Sequence, residues 1–126
     1  MPRNTEQRNA IREVLVGTDR PLSAGEILNG AKQSSGGLGI ATVYRNIKRL
    51  IDEGWLIAVD IPGGPTRYEV ADKDHHHHFV CRVCDRVFEV PSCPADLHQM
   101  TPVGFKVDDH EVVLYGKCPD CQGKRS

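Results

Sequence analysis

The stretch Ile40-Ala-Thr-Val-Tyr-Arg-Asn-Ile-Lys-Arg-Leu-Ile-Asp-Glu53 is the strongest helix signal in the chain. Ile40, Val43, Ile47, Leu50 and Ile51 recur at helical spacing and predict one apolar face. The opposite face carries Thr42, Arg45, Asn46, Lys48 and Arg49, and Gly54 is a natural stop. Upstream, residues 1–18 predict a helix capped by Asn4 or Thr5, with Ile11, Val14 and Leu15 facing inward and Gly17 ending it. Ser23-Ala-Gly-Glu26 is a capping box, in which each side chain satisfies an otherwise orphaned backbone N–H. Ile27, Leu28 and Ala31 form the stripe of the helix it opens, and Ser34 to Gly39 is a loop.

Downstream, Trp55 to Asp60 predicts a strand, Pro62-Gly-Gly-Pro65 a turn, and Thr66 to Val70 the returning strand. Helix, helix, helix, hairpin is the order of a winged helix-turn-helix, whose third helix enters a major groove and whose hairpin is the wing. The same pattern fits a small α+β domain whose basic helix face is only solvated.

The chain has 126 residues, room for one ordinary domain or two very small ones. It has no long uncharged apolar run, which excludes a membrane helix, and Met1 is followed by polar residues rather than a secretory h-region. The expected location is the cytoplasm. A formal net charge of −1 argues against a protein that coats nucleic acid. The charge is divided: residues 1–59 carry a net +2 and the remainder −3, so the N-terminal half is the better phosphate partner and the C-terminal half the better cation partner.

Ala71 to Asp74 is polar and reads as a hinge. Residues 79–90 predict strands, Pro94 to Met100 a short helix, and Phe105–Val107 and Glu111–Tyr115 two further strands. The expected organisation is a DNA-binding domain over 1–70, a hinge over 71–74, a small α/β metal-binding domain over 75–121 and a tail over 122–126. The fold class is α+β.

Four of the five cysteines form two pairs, Cys81-x-x-Cys84 and Cys118-x-x-Cys121, and Cys93 stands apart. Two residues between thiolates let both meet one ion from a tight turn, and two such turns close a tetrahedron at about 2.3 Å per Zn–S bond. Four protein ligands make a structural zinc site, which supplies folding energy to a domain with little core. The long spacer means that the pairs clamp separate strands. His75-His76-His77-His78 is the second signal. On an extended backbone, His75 and His77 face one side and His76 and His78 the other. Glu69, Glu89, Cys93, Asp96, His98 and His110 are the candidate partners. Imidazole with carboxylate suits Fe(II), Mn(II) or Zn(II), and an added thiolate favours zinc.

Ile40-Ala-Thr-Val-Tyr-Arg-Asn-Ile47, His75-His-His-His-Phe-Val-Cys-Arg-Val-Cys84 and His110-Glu-Val-Val-Leu-Tyr-Gly-Lys-Cys-Pro-Asp-Cys121 together closely resemble the ferric uptake regulator family, in order and over almost the whole chain. The resemblance implies a homodimeric, metal-dependent repressor of a double-stranded DNA operator, with an N-terminal winged helix and a C-terminal dimerisation domain. It implies no enzyme, no membrane association and no small-molecule substrate. Matched by position, Cys81, Cys84, Cys118 and Cys121 hold the structural zinc, and Tyr44 and Arg45 meet DNA. Arg45, Lys48 and Arg49 supply phosphate contacts beside Thr42, while Tyr44 either reaches a thymine methyl or phosphate or packs beside Ile47 and Ile51. His75, His77 and His110 match one metal site of the dimerisation domain; its helix is shorter here, and Asp96 or His98 takes the fourth place.

Glu69, His76, His78 and Glu89 match the sensory site, but the DNA-domain His of the family falls on Pro21, which has no ligand atom. The hinge Cys and Asp used by zinc sensors of the family fall near Val70 and Ile57, so that pattern is incomplete too. Cys93 is the expected substitute ligand, with an inert buried thiol as its alternative. The sensed metal is therefore expected to be zinc ahead of iron or manganese, and the function zinc-dependent control of zinc uptake genes, ahead of iron or peroxide sensing. Two other classes compete: a small zinc hydrolase using the His cluster with Glu69 or Glu89, and an adaptor whose winged helix binds protein.

Overall fold

The computed structural model describes residues 3–71, 73, 76–91 and 99–123, with side chains from residue 5 onward. The chain divides into two compact units, Met1–Lys73 and Asp74–Ser126.

In the first unit, α1 (Arg3–Thr18) places Asn4 and Thr5 inside its first turn, so neither caps it. The helix runs through Gly17, and the chain leaves it at Asp19, whose φ of 53° is left-handed. Asp tolerates that region better than most residues because its short polar side chain bonds locally. A two-residue strand, β1 (Leu22–Ser23), precedes α2 (Ala24–Ala31). The capping box is formed: Glu26 N–H donates to Ser23 Oγ at 3.3 Å, and Ser23 N–H donates to Glu26 Oε1 at 3.0 Å. α1 and α2 approach closely at Gly30, where an added Cβ would sit 2.9 Å from Val14 Cγ1.

Helix α3 (Ile40–Asp52) is capped by Gly39 and stopped at Gly54, whose φ is 79°. Its buried positions are Val43, Asn46, Ile47 and Leu50. That stripe differs from the expected one at both margins: Ile40 and Ile51 are 44% and 37% exposed. Asn46 turns inward rather than outward, and its Nδ2–H donates to Thr42 O at 2.9 Å. The bond offsets the cost of taking an amide out of water. Ile11, Leu15, Ile27, Val43, Ile47, Leu50 and Leu56 make up the centre of this core.

The hairpin is β2 (Leu56–Val59) and β3 (Arg67–Val70), antiparallel from Leu56 opposite Val70 to Val59 opposite Arg67. Trp55, Asp60 and Thr66 lie just outside its strands. β1 pairs with β3 as well, giving the order β1-β3-β2. A strand of two residues has no periodicity, so nothing in the sequence announced it.

The second unit is built on β4 (His77–Cys81), β5 (Val87–Val90) and β6 (Val113–Gly116), in the order β5-β4-β6. β5 is antiparallel to β4 and β6 parallel to it. β4 begins before residue 79, so His77 and His78 are strand residues. Phe105–Val107 is not a strand: Phe105 and Val107 are 72% and 47% exposed, and Phe105 N–H closes a turn onto Pro102 O at 3.1 Å. Apolar residues without a strand beside them have no ladder to join. The last strand expected, Glu111–Tyr115, is shifted to Val113–Gly116. Residues 94–98 of the expected short helix, and residues 124–126 of the tail, lie outside the described residues. The architecture is α+β, and no described helix is long and apolar enough to cross a membrane.

Candidate metal centre and nucleic-acid interface

The four paired cysteines converge at one end of the second sheet. Cys81 is the last residue of β4, and the chain turns back so that Asp85 N–H donates to Cys81 O at 2.9 Å. Asp85 has φ 62°, which lets the turn close before β5. Because β6 runs parallel to β4 with Gly116 opposite Cys81, Cys118 emerges beside the same end. A 3₁₀ turn, Pro119–Cys121, then brings Cys121 back, with its N–H on Cys118 O at 3.0 Å. The four sulfurs lie within 4.8 Å of one another, and Cys84 Sγ is 3.9 Å from Cys118 Sγ. That separation is far beyond an S–S bond of about 2.05 Å. It matches the roughly 3.8 Å edge of a tetrahedron built on Zn–S bonds of about 2.3 Å. The donor set fits zinc, and this is a structural four-cysteine zinc site.

The electrostatics are those of a site that needs a cation. Burial pushes the Cys121 thiol up to about 12, and its neighbouring cysteines add to the rise. Burial also opposes ionisation of Cys81, but the backbone N–H groups of Cys118, Cys84 and Val83 outweigh it and bring this thiol down to about 6. At Cys84 the burial penalty is overcome chiefly by Arg86, and the pKa is lowered. Arg86 Nε–H donates to Cys84 Sγ at 3.1 Å, and its Nη2–H donates to Cys118 Sγ at 3.6 Å and to Asp120 Oδ2 at 3.4 Å. Four thiolates together carry more charge than so small a pocket holds without a metal. Arg86 was missed from the sequence; the available signal was a basic residue two positions after the Cys81-x-x-Cys84 pair.

The histidine run sorts by the alternation of β4. His76 and His78 meet edge to face, with ring centroids 5.0 Å apart, and His78 lies opposite Glu89 on β5. His77 is 3% exposed and lies 5.0 Å, centroid to centroid, from His110. Val112 N–H donates to His77 Nδ1 at 3.2 Å, so an ion at His77 must use the other ring nitrogen or break this bond. His75, Cys93, Asp96 and His98 lie outside the described residues. In the first unit, Glu69 is 2% exposed on β3, opposite Ile57.

The outer face of α3 is the candidate nucleic-acid interface. Tyr44 is 53% exposed, so it does not pack into the core beside Ile47. Arg45 Nη2–H donates to Thr42 Oγ1 at 2.9 Å, which aligns the guanidinium along the helix. Lys48 and Arg49 are exposed and pair with Asp52 and Glu53 at 3.2 and 3.4 Å. Exposed pairs of this kind are worth about 0–1 kcal/mol, so both cations exchange readily to phosphate. Asn46, expected on this face, is buried. The wing turn at Pro62–Pro65 is held at its base by Arg67, which is 4% exposed and donates from Nη1 to Pro65 O at 3.2 Å. Burial raises the Tyr68 pKa, helped by the nearby Tyr44 and Asp60.

Comparison with known proteins adds the context. The model of the ferric uptake regulator family matches residues 2–115. The ferric uptake regulation protein of Campylobacter jejuni is 29% identical over 127 residues, covering 97% of this chain and 81% of that protein. The peroxide operon regulator of Bacillus subtilis is 28% identical over 128 residues, covering 98% and 87%. The structure of the Helicobacter pylori ferric uptake regulator, described as having three functional metal binding sites, is similar with a TM-score of 0.69 at 27% identity, covering 95% of this chain and 82% of that one.

Proposed function

The chain belongs to the ferric uptake regulator family, and from that premise we propose that it is a zinc-responsive repressor of zinc uptake genes. At the coarser level it is a metal-responsive, DNA-binding transcriptional regulator and not an enzyme. The observation that carries the finer reading is a count of donors. Pro21 is fully buried and offers no ligand atom where the family has a His. Glu69, His76, His78 and Glu89 remain, two imidazoles and two carboxylates. Four ligands complete the tetrahedron zinc prefers, whereas manganese favours six oxygen-rich positions. Cys93, in place of one of the carboxylates, would keep four ligands and move the preference further toward zinc. His77 and His110, with His75 and either Asp96 or His98, are the proposed ligands of a second ion.

When bound, the regulatory ion supplies a positive charge that only a correctly assembled donor set can satisfy. The chain's own residues do the rest. In a homodimer, two α3 helices must reach half-sites one turn apart, roughly 34–36 Å. Residues 71–74 set how freely they can do so. Glu69 belongs to the DNA-binding unit and His76, His78 and Glu89 to the other. These side chains therefore favour the DNA-competent spacing to the extent that they hold the ion more tightly in that state. Arg45 reads a base or phosphate, Tyr44 packs on a thymine methyl or bonds a phosphate, and Lys48 and Arg49 bind the backbone.

A second reading is iron sensing, favoured by the Campylobacter jejuni relative, which is a ferric uptake regulation protein. The test is a metal titration of DNA binding under anaerobic, reducing conditions, with the four-cysteine zinc retained. Zn(II), Fe(II) and Mn(II) are added separately over operator-like duplexes at fixed salt. Switching by buffered zinc at levels where iron is inert supports the proposal. Switching by iron alone replaces it with the second reading, and switching by manganese alone overturns the proposal.

A further inference from the structure

We propose that Arg86 is a positioning residue of the four-cysteine site, orienting the Cys84 and Cys118 sulfurs toward zinc and neutralising part of the charge of the loaded centre. Zinc with four thiolates carries a net charge of −2, which a small, half-buried pocket must balance. Arg86 is placed to do this. It lies directly before β5, the strand that follows the first cysteine pair, and its own N–H groups reach one sulfur from each pair, Cys84 at 3.1 Å and Cys118 at 3.6 Å. It therefore links the two halves of the site independently of the backbone.

The guanidinium is itself held from two further sides. Asp120, inside the second cysteine turn, accepts from Nη2 at 3.4 Å. The Phe88 ring lies under the guanidinium, with 5.6 Å between the guanidinium carbon and the ring centroid. Both contacts restrict the orientation of the cation. A fork of N–H donors suits two separated acceptors, which a lysine ammonium, a point charge on a flexible stem, matches less well. Partners of metal ligands commonly change affinity by about 10–100-fold when removed.

The test uses the full-length protein and three variants, Arg86→Gln, Arg86→Lys and Arg86→Met. Zinc affinity is read by competition with a chromogenic chelator. Cobalt(II) is substituted at the site, and its thiolate-to-metal charge-transfer band is recorded. Arg86→Gln is expected to lose about 10–100-fold in affinity. Its cobalt band is expected to move to lower energy, because thiolates relieved of a cationic donor give up electrons more easily. Arg86→Lys is expected to recover more than half of both effects, since it restores the charge without the fork. Arg86→Met, which keeps the stem over Phe88, is expected to follow Arg86→Gln. Affinity and band position within experimental error of the parent in Arg86→Gln overturn the proposal. So does Arg86→Met within experimental error of the parent, which would assign the residue to packing against Phe88. If Arg86→Met does not fold, the Gln and Lys pair decides.

Discussion

The imidazoles of His77 and His110 lie with ring centroids 5.0 Å apart and planes tilted by 47°. Their meeting depends on β6 running parallel to β4, since His110 enters just ahead of the strand whose Val113 lies opposite His78. The His77 ring accepts the Val112 N–H at Nδ1. Of these two proposed ligands, His77 is buried and His110 is the more exposed. Replacing the more exposed member is the cleaner experiment. His110→Ala is expected to lower bound metal by one ion per chain while leaving the four-cysteine zinc in place. Elemental analysis of the purified protein measures this, and unchanged stoichiometry would remove His110 from the ligand set.

Removing the structural zinc should act on one unit only. The buried cluster that spans both cysteine pairs is Cys81, Cys118 and Cys121, with Val83, Cys84 and Phe88 packed against it. Structural zinc contributes about 10–16 kcal/mol to small zinc-finger peptides, which exceeds the reserve of most domains. Cys118→Ser, or stripping by a strong chelator, is expected to abolish amide protection across β4, β5 and β6. Protection of α1, α2 and α3 is expected to persist. Hydrogen exchange resolves the two, and loss in both units together would show that they fold as one.

The capping box can be weighed separately. Ser23→Ala removes the acceptor of the Glu26 N–H, while the Arg20–Glu26 pair at 3.0 Å stays. A cost of about 1 kcal/mol is expected. For a unit of this size that lowers the unfolding midpoint by roughly 4–8 °C. A midpoint unchanged by calorimetry would mean that solvent satisfies the helix end equally well.

Specific and non-specific DNA contacts should separate on α3. Arg45→Ala is expected to cost about 1–3 kcal/mol and to relax discrimination among operator variants. Lys48→Ala is expected to weaken all duplexes alike and to reduce the salt dependence by about one counterion. Asp52→Asn, which frees Lys48 from its 3.2 Å partner, should tighten binding modestly. Fluorescence anisotropy over a salt series reads all three, and equal loss of specificity in Arg45→Ala and Lys48→Ala would contradict the assignment.

Much of this was legible in the sequence because it is local. Helix α3, the Ser23–Glu26 box, the turn at Gly63 and the two Cys-x-x-Cys turns each follow from spacing within a few residues. The alternation of His76 with His78 needed only an extended backbone. What the sequence did not reveal depended on neighbours brought from elsewhere in the chain. β1 exists because β3 offers it a ladder. Phe105 and Val107 are apolar but have no strand beside them among the described residues. Asn46 is buried by what packs against α3, while its amide bonds locally to the Thr42 carbonyl one turn back. Arg86 reaches both cysteine pairs only because β6 lies parallel to β4. Periodicity and ligand spacing are properties of a short segment and can be read from it directly. Hydrogen-bond partners, and the choice of which imidazole meets which, are set by strand order and register, which only the assembled sheet decides.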